Sequence, residues 1–127
     1  MSVSGVTFGP EQLLGASATA ADVDKLVGWF IQEEGERLHP YRDTSKHHYL
    51  TIGIGRNLDT TGISPQESRL LFLNDLTHAT DTVRRLGRWT SLLDPVRWAA
   101  LLAMAFQMGE DGLREFHATL AAMERRE

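Results

Sequence analysis

The stretch EGERLHPYRDTSKHHYLTIGIG, residues 34–55, decides how this chain is to be read. It opens on Glu34-Gly35, where a helix-forming sequence stops, and closes on Thr51-Ile52-Gly53-Ile54-Gly55, strand formers broken by glycine. Tyr41, Tyr49, Thr51, Ile52 and Ile54 favour extended backbone. Asp43-Thr44-Ser45-Lys46, Gly53, Gly55 and Asn57 favour turns and bends. Two or three short strands of a small sheet are expected over residues 36–61.

Before this stretch, Val23, Leu26, Val27, Phe30 and Ile31 recur at three- and four-residue steps. That spacing predicts a helix from Thr19 or Ala20 to Glu34 with one apolar face, stopped by Gly35. Residues 1–18 are rich in Gly, Ser and Ala and read as a leader or linker, a candidate tail of a preceding domain. After the stretch, Ser64-Pro65-Gln66-Glu67 has a cap residue, a proline at the first helical position and a carboxylate three residues past the cap. A long helix should start there and run to about Leu86-Gly87, with Leu70, Leu73, Leu76, Thr77 and Leu86 continuing its pattern. Asp94-Pro95 opens a further helix through Met108, with Trp98, Leu101, Leu102 and Ala105 on an apolar face and Gly109 as its stop. A last helix is expected from Gly112 to Arg125, carrying Leu113, Phe116, Leu120 and Met123. The class is α+β, with the sheet segregated at one side, in one domain over residues 19–127.

Composition narrows the function. The chain's 127 residues suffice for one domain with a modest core. Net charge is −4 and no dense Lys/Arg stripe appears, which disfavours a nucleic-acid partner. Arg84-Arg85 and Arg125-Arg126 read as solvated helix faces. No apolar run reaches the roughly 18 residues of a membrane span. The first residues hold no Lys or Arg and no continuous apolar core, so no signal peptide is expected. There is no cysteine, hence no thiolate chemistry. The histidines His39, His47, His48, His78 and His117 sit at no ligand-like spacing, so no metal site is expected. Trp98 belongs to the core rather than to a sugar platform.

Glu33, Glu34 and Glu36 crowd the C-terminal end of the first helix, where the helix dipole disfavours carboxylates by about 0.3–1 kcal/mol each. Taken alone this is a solvated acidic helix end; it also suits a carboxyl that must carry a proton. Asp43 lies in a turn nine residues on, alone no more than a turn cap. Thr51 alone is a β-forming residue. Together they offer two carboxyls and a hydroxyl, the set that glycosidic hydrolysis needs.

The segment Glu34-Gly35-x-Arg37-Leu38-x-x-Tyr41-x-Asp43-Thr44, then Tyr49, then Thr51-Ile52-Gly53-Ile54-Gly55, resembles the catalytic segment of phage-type lysozymes, the muramidases of glycoside hydrolase family 24 known best from the T-even phages. Asp94-x-Val96-Arg97-x-Ala99-Ala100-Leu101 followed by Phe106-Gln107-Met108-Gly109-Glu110-x-Gly112 is similar to the family's central helix and the turn after it. The resemblance implies a lysozyme-like fold, a small antiparallel sheet lobe joined by a long helix to a helical lobe. It implies a substrate, the β-1,4 bond between N-acetylmuramic acid and N-acetylglucosamine in peptidoglycan, and inversion at the anomeric carbon. It assigns Glu34 as general acid, Asp43 as the carboxylate supporting the attacking water, and Thr51 as the hydroxyl that helps hold that water. For substrate binding it points to Asn57, Phe106 and Thr119, with Gly55 letting the glycan approach the backbone. No metal or organic cofactor is required.

Three departures from the family accompany the resemblance. The Asp43–Thr51 segment is longer, carrying Ser45-Lys46-His47-His48, and the extra residues belong in a hairpin tip if the register of Thr51 is kept. Arg56 replaces a His and is expected to pair with an acid of the linking helix, with Asp75 as candidate. The family's C-terminal helices are absent from the sequence, which leaves room for a larger parent protein or a partner chain completing the helical lobe. The second reading is therefore a catalytically weak peptidoglycan-binding or assembly module of a larger phage or secretion-system protein. On the first reading, the chain is made in a bacterial cytoplasm and acts on the wall. A holin, a virion or a secretion system would deliver it, and an inhibitor or immunity protein is a candidate partner.

Overall fold

The computed structural model describes Ser2–Val3, Val6–Thr7, Gly15 and residues 17–126. The chain falls into two compact units, Met1–Ser68 and Arg69–Glu127. In the first, β1 (Ser2–Val3) pairs antiparallel with β2 (Val6–Thr7). The rest of the expected leader lies mostly outside the described residues. Helix α1 spans Ala20–Glu34, as the apolar spacing predicts. A capping box starts it: the Thr19 hydroxyl accepts from the Asp22 N–H, and the Asp22 carboxylate accepts from the Thr19 N–H at 2.9 Å. Of its apolar face only Val23 is buried; Val27 and Phe30 stay partly exposed.

A three-stranded antiparallel sheet follows, β3 (Arg37–Arg42), β4 (Leu50–Gly53) and β5 (Arg56–Asn57), in that spatial order. Arg37 faces Gly53 while Tyr41 faces Thr51. Four steps along β3 thus oppose two along β4, so β3 bulges and bends between those points. The Arg37 guanidinium lies over the Tyr41 ring, 4.3 Å from its centroid, and ties the two ends of the bulge together.

Helix α2 (Pro65–Arg85) begins in the first unit and lies mostly in the second. Its expected start is observed: Ser64 Oγ accepts from the Glu67 N–H at 3.1 Å, and Glu67 Oε1 accepts from the Ser64 N–H at 2.9 Å. The buried face differs from the leucine pattern. Ala79, Thr82 and Val83 are buried, whereas Leu73 is 49% exposed.

After a 3₁₀ turn (Arg88–Leu92), Asp94 caps α3 (Pro95–Arg114), its carboxylate accepting from the Arg97 N–H at 2.9 Å. Gly109 breaks this helix at φ 72°, ψ −179°, a conformation that a side chain resists. Helical backbone then resumes as far as Arg114, so the last helix, α4 (His117–Glu124), starts at His117 rather than Gly112. Local geometry accounts for the difference: the Phe116 N–H bonds to the Leu113 carbonyl at 3.1 Å, and Phe116 leaves helical geometry at ψ 60°.

Ala79, Val83, Leu101, Ala105 and Leu113 form the core of the second unit, with Trp89, Trp98, Leu120 and Met123 among the side chains packed on it. Leu101 and Leu113 are fully buried, each worth about 1.5–3 kcal/mol. Arg84 and Arg85 are both exposed, and Arg85 also donates from Nε to Glu110 at 2.7 Å and from Nη2 to the buried Thr82 hydroxyl at 3.0 Å.

Candidate active site

Asp43 sits in the connection between β3 and β4. Its N–H donates to the Tyr49 carbonyl at 2.9 Å, and the His48 N–H donates to the Ser45 carbonyl at 3.1 Å, so the longer connection is absorbed in a turn at the tip. His48 takes φ 49° there. Its ring Nδ1 lies 3.2 Å from the Asp43 carbonyl oxygen. The side-chain carboxylate is loaded on one oxygen. Oδ1 accepts from Ser45 Oγ at 2.6 Å, from the Ser45 N–H at 3.1 Å and from the Tyr49 N–H at 3.0 Å. Oδ2 receives none of these three. The Ser45 hydroxyl, then the two backbone donors and nearby His48, hold the carboxyl below the usual carboxylate range, so it stays ionised.

Thr51 lies in the middle strand and is buried, facing Tyr41 on one side and Asn57 on the other. Its hydroxyl donates to the Tyr49 carbonyl at 2.9 Å. One residue therefore connects the pair: the N–H of Tyr49 serves Asp43 and its carbonyl serves Thr51. With its proton given to Tyr49, the Thr51 oxygen still has lone pairs to accept from water.

Glu34 is the last residue of α1 and is exposed. Gly35 follows at φ 77°, ψ 164°, geometry essentially reserved to glycine, and its N–H closes the helix on the Ile31 carbonyl at 2.8 Å. The last turn of α1 holds no basic residue to neutralise the carboxylate. Glu34 ends the helix before β3 and Asp43 follows the last residue of β3, so the two carboxyls stand at opposite ends of that strand in the chain.

Arg56 pairs with an acid at the start of α2, but the acid is Glu67 rather than Asp75. Nη1 donates to Glu67 Oε1 at 2.6 Å and to the Gly62 carbonyl at 3.1 Å. The nearer carboxylate wins because the capping box already aims Glu67 back along the chain. Arg56 and then Ser64 hold the Glu67 carboxyl down at about 2.

Among the other sequence-predicted residues, Asn57 turns its side-chain oxygen inward, accepting from the Thr60 N–H at 2.9 Å. Gly55 lies in the tight turn between β4 and β5 at φ 78°, with open space where a Cβ would stand, so conformation rather than a close neighbour asks for glycine. Phe106 and Thr119 belong to the second unit. Phe106 is 41% exposed and meets Phe72 edge-on, ring centroids 5.4 Å apart; Thr119 is exposed on α4. Among the described residues, no group of three or more His, Asp or Glu side chains is placed to hold a metal ion. Sequence reasoning missed Ser45 and Glu67 as neighbours of the site's key charges. The Asp-x-Ser spacing at the head of a turn is the signal for the first.

An α+β fold in which a small bulged sheet carries a buried threonine and, at its first turn, a well-bonded aspartate defines a class, and the comparison with known families agrees. The phage lysozyme family matches residues 31–126, and the chain belongs to that family of lysozyme-type glycosidases. A protein named "Probable T4-type lysozyme 1" from Dictyostelium discoideum is 31% identical over 121 residues, covering 72% of this chain and 70% of its own.

Proposed function

We propose that this chain hydrolyses the β-1,4 bond between N-acetylmuramic acid and N-acetylglucosamine of bacterial peptidoglycan, with inversion at the anomeric carbon. The Glu34 carboxyl gives its proton to the leaving glycosidic oxygen. A water attacks the anomeric carbon from the opposite face, aligned by the Asp43 carboxylate and the Thr51 oxygen, and its proton passes to Asp43. The observation that carries the reading is the Asp43–Tyr49–Thr51 arrangement, an ionised carboxylate and a buried hydroxyl bonded to the same residue, with the carboxylate's hydrogen bonds from described residues all on one oxygen. Membership of the lysozyme family supports the choice of substrate. The reaction takes place at the cell wall, with delivery from the cytoplasm by a holin, a virion or a secretion system.

The test is soluble muropeptide release from purified peptidoglycan, read by mass spectrometry, for the wild type, Glu34→Gln and Asp43→Asn. Reducing-end muramic acid products from the wild type are expected, with at least about a hundredfold loss in each variant. Fresh product enters solution as the α anomer if the reaction inverts, which proton NMR reads directly. Absence of release by the wild type, or undiminished release by Glu34→Gln, overturns the assignment.

A further inference from the structure

Within the reading just proposed, one side chain controls how Asp43 presents itself. A carboxylate on a turn rotates about its last bond, and both oxygens are equivalent to water unless something distinguishes them. Here three donors converge on Oδ1. Two are backbone N–H groups, of Ser45 and Tyr49, which the fold supplies whatever the side chains are. The third, the Ser45 hydroxyl at 2.6 Å, is the shortest of the three and the one side-chain donor among them. A hydrogen bond from a hydroxyl to an ionised oxygen is stronger than a neutral pair and more directional.

We propose that Ser45 is a positioning residue for hydrolysis: by donating to Oδ1 of Asp43 it fixes the carboxylate plane, so that Oδ2 is the oxygen that receives the attacking water. Ser45 touches neither substrate nor water in this role; it acts through Asp43. Lys46, His47 and His48 share the turn with that carboxylate, and the preceding Arg42 is held in an ion pair to Asp59 at 3.3 Å. His48 alone among them adds to the stabilisation of the ionised Asp43. All of them are unchanged by substitution at Ser45.

The experiment compares the full chain with Ser45→Ala, Ser45→Thr and Asp43→Asn, measuring kcat and KM on peptidoglycan oligomers from pH 3 to 8. In parallel, the titration of the Asp43 carboxyl carbon is followed by NMR in wild type and Ser45→Ala. Ser45→Ala should lower kcat about tenfold with KM within about twofold, because a hydrogen bond that orients a reacting group is lost while binding surface is kept. The acidic limb of the kcat profile and the Asp43 titration should both move to higher pH, and Ser45→Thr should restore both. An unchanged kcat and acidic limb in Ser45→Ala, with Asp43→Asn inactive, overturns the role of Ser45 and leaves that of Asp43 standing. Asp43→Asn at the wild-type rate overturns both. A folded Ser45→Thr that fails to restore what Ser45→Ala loses also overturns the proposal, since the hydroxyl would then not be the agent.

Discussion

Thr51 has two duties that compete for one hydroxyl. It is among the few buried polar side chains, at 4% exposure, and its proton is spent on the Tyr49 carbonyl. That carbonyl also accepts from the Asp43 N–H, so it stays satisfied when the hydroxyl is removed. Thr51→Val keeps the shape and should therefore cost only about 1 kcal/mol in chemical denaturation. Its effect on peptidoglycan hydrolysis should be far larger, a loss of tenfold or more in kcat, because the oxygen that holds water is gone. Thr51→Ser should recover most of both. A Thr51→Val enzyme of normal kcat would remove Thr51 from the reaction. The residue scale was partly legible in the sequence: a threonine opening a strand is visible, but its neighbours across β3 and β5 are not.

Elements in this protein are set by their ends. Glu67 serves the α2 cap and the Arg56 ion pair with the same oxygen, Oε1. Its carboxyl is held at about 2 against an ordinary value of 4.5. A depressed folded value means the group's stabilisation is fully present above the ordinary value and disappears as pH falls from about 4.5 towards 2. Glu67→Gln keeps a capping oxygen and removes the charge. Because the two side chains are 36% and 40% exposed, solvent screens the pair, and the variant should be less stable by only about 0.5–1 kcal/mol above pH 5. Denaturation midpoints of the two proteins should converge on acidification to about pH 2. Parallel curves would show that Glu67 titrates normally. The capping sequence Ser64-Pro65-Gln66-Glu67 announced this helix, since both partners lie within one turn. Arg56 as the third member was not announced, because its eleven-residue separation from Glu67 is closed by the sheet.

Across the whole molecule, burial is uneven. Among the described residues, the first unit buries Val23 and Thr51, whereas the second buries Ala79, Thr82, Val83, Thr90, Leu101, Ala105 and Leu113. Units with little buried apolar surface open at lower free energy. Amides of β4 should accordingly exchange with solvent well before those of Leu101, Leu102 and Ala105 in α3, measured by hydrogen exchange at neutral pH. Equal protection would mean that the two units unfold as one cooperative block. Val27 and Phe30 in α1 and Leu73 in α2, expected on apolar faces but left exposed, are the places where helical periodicity misjudges burial.

The sequence by itself determined the features that a few neighbouring residues decide: the helix starts at Ser64 and Asp94, the stop at Gly35, the short strands and the order of elements. Its motif pattern also placed the chain in the right family, because two separate blocks agree with it and the spacing from Glu34 to Asp43 is kept. Only the tertiary structure decided which apolar residues are covered, which acid Arg56 meets, that the helical stretch after Gly109 breaks again past Arg114, and that Asp43 takes its hydrogen bonds from the described residues through one oxygen. The division is physical. Cap and turn hydrogen bonds close over three or four residues and are written in local sequence. Burial and the loading of a carboxylate depend on groups brought together from strands and helices apart in the chain, and those appear only once the backbone has folded back on itself.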